Sequence, residues 1–292
     1  MSRSDLRRRF ADESFWKRLS ALQMLVRQRA EGQAGPWTTR RAGMSLEFAE
    51  YREYYPGDDF RYVDWNLYGR LDRLFVKVFH REENISVYIA VDTSRSMAVG
   101  EKLRYATELA GAVAHVALKD MNRVGVFAFA QRIVSGVPAR SGPFHLQKIF
   151  SFLEGLEPLA PTSLSTALEE LSKLPLRRGL IVLLSDMLDP EGCEPGLLHL
   201  LVKRHEIAIV QILAAHDLDP PLRSEARLVD SEIARELSVS ASAVGRYRQR
   251  LLSYAQKLET FCRAHQIRYK LLSAARPLER ALFEDLRGVL FV

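Results

Sequence analysis

The stretch that decides the fold is ISVYIAVDTSRSM, residues 85–97. It opens with a short, nearly continuous apolar run, Ile85 to Val91, the pattern of a strand buried on both faces of a parallel sheet. The run stops at Asp92, and a hydroxyl-rich segment takes over. Downstream, Leu103, Ala106, Ala110, Val113 and Ala117 recur at three- and four-residue steps, one stripe of a helix. RVGVFAFA (123–130) predicts a second strand, and residues 131–137 a short edge strand turning back. Helical segments over 144–154 and 164–174 follow, then the buried strand GLIVLLS (179–185), a helix over 196–204 and the strand IAIVQIL (207–213). Tyr247, Leu251, Tyr254, Leu258 and Phe261 make the stripe of a long helix, and IRYKLLS (267–273) a last strand. Such alternation predicts an α/β fold, a doubly wound and mainly parallel sheet with 85–91 central and helices on both faces.

Upstream the pattern changes. Phe15, Leu19, Leu22 and Val26 predict one amphipathic helix over residues 5–30. Trp16 and the flanking charges make that stripe a packing surface rather than a lipid face. GQAGP at 32–36 breaks it. From Trp37 to His80 come Gly, Pro, aromatics and short apolar runs, with 74–79 as a strand. The expected division is an irregular or β-rich N-terminal module led by a helix (1–80) and an α/β domain (81–292).

At 292 residues and 33.3 kDa the chain has room for this, given about 150 residues per domain. Hydrophobic content of 47% with 27% charged residues excludes general disorder. No run approaches the ~18 apolar residues of a spanning helix, and the basic N-terminus carries charges where a signal peptide needs its apolar region. The expectation is a soluble, cytoplasmic protein. Two cysteines, Cys193 and Cys262, are too few for a metal quartet or a disulfide framework and read as buried thiols. The seven histidines show no HExxH pattern. A net charge of +6 permits anionic partners, but an excess this small is also what an ordinary solvated surface carries.

In open α/β sheets ligands collect beyond the carboxyl ends of the strands, at the switch point. The residues there are Asp92-Thr93-Ser94-Arg95-Ser96 after the first strand, Asp186 after GLIVLLS, and Thr162 ahead of the helix that begins near Leu164. In an extended loop Asp92, Ser94 and Ser96 project to one side, and Thr93 and Arg95 to the other. Two carboxylates and three hydroxyls are hard oxygen donors throughout, suited to Mg²⁺ or Mn²⁺ and poor for zinc or copper.

DTSRS resembles the DxSxS motif of the von Willebrand factor A domain, whose metal-ion-dependent adhesion site adds a threonine and an aspartate from later loops. The resemblance implies Asp92, Ser94, Ser96, Thr162 and Asp186 as ligands. Ala160 and Pro161 stand where that family usually has glycines, and Met187 replaces a glycine. A second resemblance covers nearly the whole chain. Arg52, Gly57, Asp58, Asp59, Arg61, Asp64 and Trp65, followed by DTSRSM, KLRYATELAGAVAHVAL and NRVGVFAF, are similar to the bacterial domain-of-unknown-function 58 family with its GDDxRxxDW motif. That family implies an accessory protein working with MoxR-type AAA+ ATPases, not an enzyme, with a protein partner supplying an Asp or Glu to the metal.

Three other readings compete. Asp92 as a phosphoryl-accepting nucleophile would need a second carboxylate two residues on, and Ser94 stands there. Residues 233–247 imitate a helix-turn-helix, making a DNA-binding regulator the alternative function, though Ser238 replaces the usual turn glycine. Asp58, Asp59 and Asp64 could form a second ion site, but nearby Arg52, Arg61 and Arg70 favour ion pairs around a turn.

Overall fold

The computed structural model describes residues 13–25, 46–81, 85–158, 161–218, 226–229, 236–239 and 241–292. The chain divides into two compact units, Arg27–Asn84 and the remainder, Met1–Val26 with Ile85–Val292.

In the larger unit the apolar runs become β3 (Ser86–Asp92), β4 (Arg123–Phe129), β5 (Ile133–Arg140), β6 (Gly179–Ser185), β7 (Glu206–Leu213) and β10 (Arg268–Ser273). They form one six-stranded sheet in the order β10-β7-β6-β3-β4-β5. All neighbours pair in parallel except β4 with β5, which closes one edge as an antiparallel strand. Pro138 lies in that edge strand, where a residue without an N–H is tolerated. β3 is interior and buried along its whole length, as its apolar run predicts.

Strand alternation sorts the core into two layers. Val87, Ile89 and Val91 face α3 (Lys102–Lys119) and α4 (Pro143–Glu154), while Tyr88 and Ala90 face α5 (Leu164–Lys173), α6 (Glu194–Val202) and α8 (Ala241–Ala264). The chain leaves β3 toward β4 on one side and returns to β6 on the other. The switch point therefore falls between the carboxyl ends of β3 and β6.

The leading helix differs from expectation in length and in allegiance. Within the described residues it spans Glu13–Leu19 (α1) and then turns; residues 5–12 and 26–30 of the expected helix, and the 32–36 break, lie outside them. Tertiary bonds stop it. Met24 N donates to Asp120 Oδ2 at 2.7 Å, Lys119 Nζ donates to the carbonyl of Ser20 at 2.8 Å, and Leu25 N donates to the carbonyl of Leu290 at 2.7 Å. Phe15, Leu19 and Leu22 are buried in the α3 layer of the larger unit, so the boundary expected at residue 80 separates segments that fold together.

The Trp16 ring lies 4.1 Å from that of His115, and desolvation there holds the histidine down at about 4. The unfolded chain thus binds a proton that the fold excludes between about 6.5 and about 4. Stability should fall as pH drops through this window, and His115→Gln should flatten that limb in urea titrations. An unchanged acid limb would show that His115 does not contribute.

The smaller unit contains β1 (Leu46–Glu53) antiparallel to β2 (Phe75–Arg81), with a one-turn helix at Phe60–Tyr62 and α2 (Trp65–Leu71) between them. The Gly-Asp-Asp segment is turn chemistry. Both Asp58 oxygens accept from Arg52 Nη2 at 2.9 Å, and Asp59 pairs with Arg61. Asp64 caps α2 through Asn66 N and Leu67 N and pairs with Lys77 at 2.9 Å. These partners hold all three carboxylates below the usual range.

Residues 233–247 do not form two helices about a turn. Glu236–Val239 is a strand, β9, paired antiparallel with β8 (Ala226–Val229), and only then does α8 begin; residues 230–235 and 240 lie outside the described residues. The cross-strand ladder claims the backbone groups that the first helix would have used.

Candidate metal centre

Asp92 ends β3 and is buried. Its Oδ1 accepts from Ser94 N at 2.8 Å and its Oδ2 from Ser185 Oγ at 2.6 Å, a hydroxyl supplied by the last residue of β6. The Asp92–Ser94 bond bends the chain so that the Ser94 and Ser96 hydroxyls lie 3.0 Å apart, while Thr93 Oγ1 turns away to the carbonyl of Phe129. Met97, fully buried, pins the loop from below. At Gly100 φ is +65°, and a β-carbon there would collide with Ala214 and His216, so the loop rests directly on the end of β7.

Asp186 follows β6 and is equally buried, but both its oxygens are engaged. Oδ1 accepts from Leu188 N at 3.1 Å and Oδ2 from Lys102 Nζ at 2.7 Å. Lys102 opens α3, is 2% exposed, and also lies 3.2 Å from Asp217 Oδ2, after β7. A cation at a helix N-terminus opposes the helix dipole, and the two carboxylates offset that. Gln211 Nε2 donates to the Asp186 carbonyl at 2.8 Å, and Gln211 Oε1 in turn accepts from the Tyr269 hydroxyl.

Thr162 stands two residues before α5, half-buried, and the chain just after it is fastened by Ser163 N to the carbonyl of Ala130 and by Leu164 N to Asp189 Oδ2 at 2.6 Å. Asp92, Ser94 and Ser96 are thus joined by direct bonds, and Asp186 contributes its charge beside them.

Lys102, Asp217 and Ser185 are the members that sequence reading passed over. Ser185 and Asp217 follow the same rule that found Asp92, since each sits at or just beyond the carboxyl end of a strand. Lys102 lies beside the apolar stripe of α3 and carries no local signal.

The electrostatics divide the two aspartates. Asp186 has its cation. Asp92 has no Lys or Arg within ion-pair distance among the described residues, and burial, then the Asp186 charge, push its carboxyl up to about 7 against the bonds from Ser185 and Ser94. Among the described residues no three His, Cys, Asp or Glu side chains converge as a metal-binding group, so a cation would rest on hydroxyls and few carboxylates. The donors fit Mg²⁺ in one respect: cis oxygens of an octahedron at ~2.1 Å lie ~3.0 Å apart, the spacing of the two serine hydroxyls. Cys193 and Cys262 take no part; both are buried and their thiols are pushed up to about 12, mainly by desolvation.

Fold and site define an α/β protein whose mainly parallel sheet gathers buried oxygen-bearing side chains at its switch point. The chain belongs to the family described as protein of unknown function DUF58, whose model matches residues 50–259. It is 29% identical over 232 residues to the uncharacterized proteins Mb1516 of Mycobacterium bovis and Rv1480 of Mycobacterium tuberculosis, covering 76% of this chain and 73% of theirs. Among solved structures it is similar to the conserved hypothetical protein BatB from Bacteroides thetaiotaomicron (15% identity, 65% of this chain and 90% of that one, TM-score 0.43). It is also similar to an aerotolerance-related membrane protein from Bacteroides fragilis (16% identity, 68% and 94%, TM-score 0.44). Among the described residues no helix is long and apolar enough to cross a membrane.

Proposed function

We propose that this protein is a divalent-metal-dependent interaction module of the von Willebrand factor A type, an accessory to a MoxR-type AAA+ ATPase rather than an enzyme. The observation that carries the reading is Asp92, a buried carboxylate without a counter-cation, held by Ser185 beside two hydroxyls at octahedral spacing. Asp92, Ser94 and Ser96 would hold Mg²⁺ or Mn²⁺ directly. Thr162 and Asp186 would act through water, since Lys102 already occupies one Asp186 oxygen. Bound there, the cation supplies a positive point at the mouth of the crevice. Mg²⁺ gives up its waters reluctantly and seeks six oxygens, so a cation with three direct protein ligands keeps positions that an Asp or Glu of a partner protein can take on the half-buried Ser96 side. The expected result is capture of the ATPase or its client in Mg²⁺ and loss of that capture in EDTA, read by pull-down of the full chain from the native lysate. Equal recovery in both would overturn the reading. The DNA-binding alternative loses its structural premise, because Glu236–Val239 is a strand.

A further inference from the structure

Long helix α8 shows two different faces. Leu251, Ala255, Leu258 and Cys262 are buried, and Leu258 and Cys262 join the core beneath the sheet. One step round the helix stand Tyr247 and Tyr254; Tyr254 donates its hydroxyl to the carbonyl of Met187 at 2.7 Å, the residue after Asp186. Tyr247 lies within the field of Asp217 and Asp186. A further step round, Arg246, Gln249, Arg250, Ser253 and Lys257 line an open groove together with Tyr254. Arg246, Arg250 and Lys257 are exposed, and among the described residues none has a carboxylate partner. The acids near Tyr254 are turned to backbone rather than to these cations: Asp189 accepts from Leu164 N and Glu191 N, and Glu194 from Cys193 N.

We propose that this face of α8 is the docking groove for an acidic peptide segment of the partner protein, laid beside the Asp186 side of the crevice so that one of its carboxylates reaches the metal. The inference deepens the proposed function and rests on it for that last carboxylate alone. Arg246 to Lys257 spans ~17 Å of helix at 1.5 Å per residue. An extended peptide covers that length in about five residues, with alternate side chains turned to the helix. Unpaired cations beside a site that itself calls for a carboxylate are complementary to Asp- or Glu-rich chain, and the Coulomb field would speed encounter as well as hold register. Duplex DNA is the weaker fit. Three phosphate contacts give a salt slope of only about −2.7, the range of loose non-specific association.

The test is fluorescence anisotropy of a fluorescein-labelled decaglutamate peptide on the full chain, in Mg²⁺ and in EDTA, at low salt. Arg250→Glu should weaken binding about tenfold in both conditions. Lys148→Glu, the same charge change on α4 across the sheet, should leave it unchanged, and both variants should melt like wild type. Equal effects of the two reversals would overturn the groove. Loss in Arg250→Glu with no response to EDTA upholds the groove and removes the metal reading beneath it; the converse pattern removes the groove and keeps the metal. A labelled 20-base-pair duplex binding more tightly than the peptide through Arg250 would overturn the acidic-peptide assignment in favour of nucleic acid.

Discussion

Replacing Lys102 by methionine should cost about 3–5 kcal/mol of folding stability, the range for removing one member of a buried ion pair. The ammonium lies 2.7 Å from Asp186 and 3.2 Å from Asp217, and among the described residues neither carboxylate pairs with another Lys or Arg, though His216 lies 3.7 Å from Asp217. Methionine fills nearly the same volume, so packing changes little and the charge imbalance dominates. Against the 5–15 kcal/mol typical of a folded domain, this is a large fraction of the total. Urea unfolding of Lys102→Met beside wild type measures it. Adding Asp186→Asn and Asp217→Asn to the same chain should recover most of the loss, because no buried charge is then left without a partner. A loss below about 1 kcal/mol in the single variant would mean that water reaches the cluster and that the ion pair matters little.

Asp92→Asn should act in the opposite direction. It should weaken Mg²⁺ binding in calorimetry about 100-fold or more, because a buried carboxylate with no Lys or Arg partner among the described residues becomes a neutral amide. In EDTA the variant should be as stable as wild type or more so. The sign follows from the raised carboxyl: the fold holds the Asp92 proton up to about 7, whereas the unfolded chain releases it near 3.8. Stability contributed by the protonated form is complete below about 4 and is lost as pH climbs through about 7. Wild type in EDTA should therefore lose stability over this range, the asparagine variant should not, and Mg²⁺ should restore wild type at pH 8. Undiminished Mg²⁺ binding by the variant would place the metal elsewhere.

How much of this was legible depended on whether a signal was local. The apolar runs at 85–91, 123–130, 179–185, 207–213 and 267–273 all became strands of one sheet; burial on both faces marks the interior ones, while 267–273 is a half-buried edge strand. Asp92, Ser94 and Ser96 were legible as oxygen donors clustered at a strand end, although a helical turn over Arg95–Glu101, not an extended loop, brings the two hydroxyls together. Lys102 was not, because nothing in KLRYATELA distinguishes a lysine that meets Asp186 from one that meets water. The end of the first helix was hidden for the same reason. Leu22 and Val26 continue the helical stripe, and the bonds that break it come from Lys119, Asp120 and Leu290, far away in sequence. Residues 233–247 show the reverse case: the local helix-turn-helix pattern, held only as the alternative, gives way to the strand pairing of Glu236–Val239.

The segment after α1 closes against the last residues of the chain: Met24 bridges Phe291, Leu25 N donates to the carbonyl of Leu290, and Val292 N donates to that of Gln23. Such contacts join positions more than 260 residues apart, close to the longest loop this polypeptide can draw shut. Phe15, Leu19 and Leu22 are made long before residues 286–292, and until those join them their apolar surface lacks part of its bed. The order of synthesis thus sets the closing of this seam after the making of the whole sheet.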